Sequence, residues 1–167
     1  MRAGFKKQSG LTIVELTLVA TALLVTLIAV IEVGRYVYSL QLINDMTRVS
    51  ARLGVVCQVD DRNDIPDLVV PSYAPDGFTA DNLVIDYLDS DGAVVDLSGA
   101  NAFNSIRFVR ARVVDFTYQF TGILGVFAAL GVINVPEFES IRPRENLGYI
   151  RKIDENSNST QDIVTDC

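Results

Sequence analysis

Residues 6–18 read KKQSGLTIVELTL: two lysines, a short polar step ending at Gly10, then an apolar run broken by one acid, Glu15. The run continues to Ile31, so 21 residues from Leu11 contain Glu15 as their only charge. At about 1.5 Å per helical residue, such a segment reaches roughly the 30 Å of a hydrocarbon core. It predicts one membrane-spanning helix. Arg2, Lys6 and Lys7 precede it without a compensating acid. Basic residues stay on the cytoplasmic side, so the leader, residues 1–10, is expected inside and everything after the span outside.

Glu15 is the anomaly. A carboxylate inside an apolar span costs about 3 kcal/mol at the helix centre on insertion scales, so it is paired, near an interface, or functional. It lies a turn inside the start of the span, and one reading is that it snorkels to the headgroups. A second comes from the motif. Gly10 followed by Leu11-Thr12-Ile13-Val14-Glu15 resembles the processing site of type IV prepilins and pseudopilins. That resemblance implies cleavage by a prepilin peptidase between Gly10 and Leu11. It also implies that Glu15, fifth in the mature chain, meets the new terminal amine of a neighbouring subunit, each charge compensating the other in an apolar core. Leu11 stands where those pilins most often carry phenylalanine. A secretory signal peptide competes for the same residues, because Ala20-Thr21-Ala22 has the small-x-small cleavage pattern. The acid within its apolar region and the run continuing to Ile31 argue against it.

Further along, Ile31-Glu32-Val33-Gly34-Arg35-Tyr36-Val37-Tyr38, Gln41 and Arg48–Gly54 resemble the TadE-like family of the tight-adherence (Tad) pilus system. Val14-Glu15-Leu16-Thr17-Leu18-Val19 and Ser50-Ala51-Arg52 stand where that family carries VE-x-ALV and GAR stretches; Thr17 occupies the alanine position and Ser50 the glycine. The resemblance implies a pseudopilin or minor pilin. It would sit in the inner membrane with its C-terminal domain in the periplasm, or enter the pilus. Its implied partners are other Tad pilins, the assembly platform, the prepilin peptidase and the membrane. Elementary physics reads the same residues in its own way. Glu32 and Arg35, three apart, can pair where the span meets the outer interface, and Tyr36 and Tyr38 suit an interfacial aromatic belt. Leu40, Ile43, Met46, Thr47, Ser50 and Leu53 or Gly54 keep a three-to-four spacing, which extends one helix amphipathically to about Leu53, with Gly54 as its stop.

The 167 residues are 49% hydrophobic with net charge −7; without residues 1–10 they hold 11 basic and 21 acidic side chains, or −10. An acidic domain offers no electrostatic footprint for nucleic acid. The chain has no histidine, no phosphate-binding glycine loop and no zinc spacing, so neither catalysis nor a cofactor or metal is expected. About 110 residues follow the helix, enough for one small core. The expected organisation is a leader (1–10), a spanning and projecting helix (11–56) and a β-rich domain (57–167), an α+β chain with a small antiparallel sheet.

Within that domain, Val59–Asp67 reads as an acidic loop. Leu83–Leu88, Asp89–Gly92 and Ala93–Leu97 read as strand, turn and strand, with Asp91-Gly92 a hairpin signal; the aspartates lack the further ligands of a calcium loop. Ile106–Phe120 reads as one strand whose apolar face swaps between Val113 and Val114, implying a bulge or twist. Pro136–Glu145 alternates and is expected to return as an edge strand. The apolar stretch 122–135 is too short to span; it is either buried under the sheet or an exposed interaction patch. Cys57 and Cys167, both expected in an oxidising compartment, are candidates for a disulfide that pins the polar tail, with an intermolecular bridge as the other possibility.

Overall fold

The structure is a computed structural model and describes residues 9–99, 102–120, 125, 136–150, 163, 164 and 167. One helix, α1, runs from Ser9 to Val56. Its first half is exposed all round, whereas from Glu32 onward a buried stripe appears through Ser39, Ile43, Met46, Thr47, Ser50, Ala51 and Val55. That spacing of three and four residues is one helical face, and the domain is built on it.

After α1 come a 3-10 turn at Val59–Asn63 and α2 at Ile65–Val69, then β1 (Leu83–Leu88), α3 (Ala102–Ser105), β2 (Phe108–Val113), β3 (Glu139–Pro143), β4 (Tyr149–Ile150) and β5 (Ile163–Val164). Strands β1, β2 and β3 form an antiparallel sheet in that order, and β4 pairs with β5. The register sets Leu83 opposite Val113, Ile85 opposite Ala111 and Tyr87 opposite Val109. Alternation therefore places these six side chains on one face. That face lies on α1, where Ala51, Val55, Ile85, Tyr87, Val109 and Ala111 form the main core, and Ile43, Met46, Phe78 and Leu83 form a second cluster.

Gly54 is not the helix stop. Helix α1 continues to Val56, and a Cβ at Gly54 would lie 2.8 Å from Val109 Cγ1; the glycine lets helix and sheet approach. The domain itself caps α1, because Leu147 N–H donates to the Val55 carbonyl at 3.0 Å and Tyr87 Oη to that of Gly54 at 3.4 Å. These satisfy acceptors that the end of a helix leaves open.

Three local expectations are corrected. Residues 59–67 are helical in large part, since Pro66 in the first turn of α2 tolerates the missing N–H there and Ile65 is fully buried. The second hairpin strand, 93–97, is a single bridge from Leu88 to Val94. The turn exists, with Gly92 at φ +81° and Asp89 Oδ1 accepting N–H bonds from Asp91 and Ala93, both at 2.9 Å. Val95 N–H still donates to the Tyr87 carbonyl at 2.8 Å, but Ser98 then turns back onto Asp96 and ends the pairing on this edge, while β2 pairs along the other edge of β1. Finally, the strand predicted over 106–120 ends at Val113. Asp115 adopts φ +51°, and the following residues leave the sheet as an extended arm. The apolar face changes sides because the chain changes neighbours, with no bulge within a ladder. The edge strand predicted within 136–145 is present as β3, and Cys57 is bonded to Cys167. The stretch 122–135 lies outside the described residues, as do residues 1–8 of the leader and most of the polar tail.

Candidate functional site

The longest element, α1, carries the candidate site. Leu16, Leu18, Leu23, Leu24, Leu27, Ile28, Val30 and Ile31 are all exposed on it, and Thr12–Val56 is long and apolar enough to cross a membrane. Its threonines do not interrupt that character. Thr17, Thr21 and Thr26 donate to the carbonyls of Val14, Thr17 and Ala22 at 2.7–2.9 Å, so each hydroxyl is satisfied within the helix, as an apolar solvent demands.

Two acids on this helix are treated in opposite ways. Glu32 is only 5% exposed, and Arg35 donates to its Oε1 at 3.2 Å, the pair expected from their spacing. The arginine also stands 3.9 Å from Asp76 Oδ2, a partner that sequence spacing could not indicate. Beside this pair the arm from β2 docks: Tyr118 and Phe120 pack their rings on Tyr36 at 5.2 and 5.1 Å, and on each other at 4.8 Å. Tyr118 meets both other rings edge-on, whereas Phe120 is tilted on Tyr36; aromatic pairs contribute about 1 kcal/mol each beyond area burial, and these tie the sheet to the helix beside Glu32. Glu15 is exposed, and no hydrogen bond or ion pair within the described residues reaches it.

On the outer face of the sheet sits a second charged group, which no spacing within one segment indicates. Asp86 Oδ2 accepts from Arg110 Nη2 at 2.7 Å and from Arg112 Nε at 2.8 Å. Burial pushes the Asp86 carboxyl up, and the bonds from Arg112 and Arg110 outweigh it, so its pKa lies below the usual carboxylate value. Asp86 and Arg110 stand directly opposite in register. The signal was there in the i and i+2 arginines, but only pairing of β1 with β2 reveals the acid that answers them. Among the described residues no group of three or more His, Cys, Asp or Glu could hold a metal ion.

Residues 10–52 match the family model of TadE-like protein. The helical stem of this chain is TadE-like. The match covers about a quarter of the sequence, and it begins at the Gly10–Leu11 junction and contains Glu15, Glu32 and Arg35. The match lies wholly within the helical stem. No curated protein and no solved structure matches the chain.

Proposed function

We propose that this TadE-like chain is a pseudopilin or minor pilin needed to assemble a Tad pilus, in initiation or at the tip. A prepilin peptidase would cut between Gly10 and Leu11, releasing residues 1–10 and leaving 11–56 as the assembly helix and 57–167 as a periplasmic or extracellular domain. The observation that carries the reading is the contrast on α1. The outer acid, Glu32, is buried and paired, while Glu15 stands exposed on a helix whose apolar side chains are also exposed.

The physical logic is intermolecular. An amine created at Leu11 on a neighbouring helix would offer Glu15 a counter-charge, and the apolar surface of residues 12–31 would pack against other helices of the same kind. Other Tad pilins and the inner-membrane assembly platform are the partners this implies. The domain has a structural role, with no catalytic one. A membrane-tethered adaptor that never enters a filament is the competing outcome.

Mass measurement of the mature N-terminal peptide, combined with Glu15→Ala, tests the proposal. The expected result is a chain beginning at Leu11, and a mutant that is cut and inserted normally yet fails to assemble. Losing the acid removes an intramembrane charge and eases insertion, but leaves the partner's amine buried alone. A start at Leu23 would establish a signal peptide instead. Full pilus assembly by Glu15→Ala at matched protein levels would refute the paired-charge mechanism.

A further inference from the structure

A cleft opens beside the Glu32–Arg35 pair that the assembly helix does not use. It has a volume of about 160 Å³ and is lined by Arg35, Tyr38, Tyr73, Pro75, Asp76 and Tyr118, among others. The helix fixes its height. Arg35 and Tyr38 lie about 6 and 10 Å beyond Ile31 along the axis at 1.5 Å per residue, and helical side chains lean back toward the N-terminus. A headgroup layer adds about 5–8 Å to each side of the hydrocarbon core, so the cleft opens at that level.

Its chemistry is divided. Tyr38 and Tyr73 are 57% and 67% exposed, the amphipathic rings that suit a membrane interface. The side chains of Arg35 and Asp76 are 51% and 92% exposed, with 3.9 Å between them. A contact so long and so open is worth little in water, and both charges remain accessible to a ligand that carries the opposite two. Arg35 and Asp76 thus offer the cleft one charge of each sign, which suits a ligand that is itself zwitterionic.

We propose that this cleft holds the headgroup of a zwitterionic aminophospholipid, its phosphate on the Arg35 guanidinium and its primary ammonium on the Asp76 carboxylate. A primary ammonium brings N–H donors for the carboxylate, which a trimethylated amine lacks, and a glycerol headgroup brings no positive charge at all. The inference rests on the helix spanning the membrane as proposed above.

The chain contains no tryptophan, so Tyr73→Trp supplies a single fluorescent reporter at the rim, and Tyr38→Trp a second, independent one. The full chain is placed in phosphatidylcholine bilayers with equal minor fractions of phosphatidylethanolamine and phosphatidylglycerol, only one of them carrying brominated chains. Quenching by the brominated ethanolamine lipid is expected to exceed that by the brominated glycerol lipid about threefold, or about 0.7 kcal/mol at 1.4 kcal/mol per tenfold. Asp76→Asn, at an exposed side chain outside the core, should abolish that preference. Equal quenching, a preference for the glycerol lipid, or a preference surviving Asp76→Asn would each overturn the site. Absence of quenching in protein that alkaline carbonate leaves in the membrane would also overturn it. Release of the protein by carbonate would defeat the spanning helix as well.

Discussion

Cys57 is fully buried in the main core, and its bond to Cys167 closes a loop with a sequence separation of 110. Replacing Cys167 by alanine opens that loop while leaving the core cysteine in place. In the chain-entropy model the cross-link withholds about 16 cal/mol/K from an unfolded loop of this length, or about 5 kcal/mol at 25 °C. Part of that is offset in the variant, because the freed end can fray from β4 and gain entropy in the folded state. A net loss of about 2–5 kcal/mol is therefore expected. For a domain of about 110 residues, this lowers the midpoint by on the order of 10–20 °C. The assay is thermal or urea unfolding of the full chain in lipid nanodiscs, followed by the near-ultraviolet dichroism of its tyrosines, with wild type, reduced wild type and Cys167→Ala compared. The reduced protein should match the variant. A loss below about 1 kcal/mol in both would refute the view that the tie acts by restricting the unfolded domain.

Three further substitutions probe single contacts. Gly148 sits at φ +81°, and a Cβ there would lie 2.8 Å from Gln58 N. Gly148→Ala should thus cost about 2 kcal/mol or more in the same unfolding assay, through strain and a clash with backbone. Ser50 Oγ is buried without a hydrogen-bond partner among the described residues, so Ser50→Ala should leave the domain as stable or raise it by about 1 kcal/mol. Burial pushes the Tyr87 hydroxyl up to about 12 from 10.0. Its contribution is complete below pH 10 and is lost as pH rises toward 12, by about 2 kcal/mol; Tyr87→Phe should flatten this part of the alkaline profile, and parallel losses in both proteins would contradict it.

How far the sequence was legible follows from how local each determinant is. The long helix, the strand at Leu83–Leu88, the edge strand within 136–145 and the Glu32–Arg35 pair all rest on spacings within one segment, and each is found in the structure. The errors came where the outcome depends on a distant neighbour. Ala93–Leu97 has the composition of a strand, yet its pairing with β1 stops at one bridge where Ser98 turns back onto Asp96, and the full partner of β1 is the distant β2, whose Arg110 answers Asp86. Gly54 looked like punctuation because helices often end in glycine; the contact that requires it, with Val109, is 55 residues away. Tyr118 and Phe120 alternate like a strand, and only Tyr36 reveals them as an arm. The roles proposed for Glu15 and the Gly10–Leu11 junction rest on motif alone, whereas Asp76 and its cleft could not be read at all, since nothing in the local sequence ties residue 76 to residue 35.

The placement of the two acids turns this geometry into an argument about assembly. Along α1, Glu15 and Glu32 are separated by 17 residues, about 25 Å at 1.5 Å per residue, and the described domain covers only the outer one. The domain attends to the outer one: the arm docks on Tyr36, Arg35 reaches Glu32, and the buried stripe begins there. If the chain acted only as a tether, the same economy of burial would favour a plain leucine at position 15, which would insert more easily, though by less than the roughly 3 kcal/mol that applies at the helix centre. An acid kept at a position that its own domain leaves open makes sense where a second chain supplies the counter-charge. The measurement that separates these is insertion set against assembly in Glu15→Leu: improved or unchanged insertion with assembly lost supports a partner for Glu15, and assembly retained at the wild-type level shows that the acid has none.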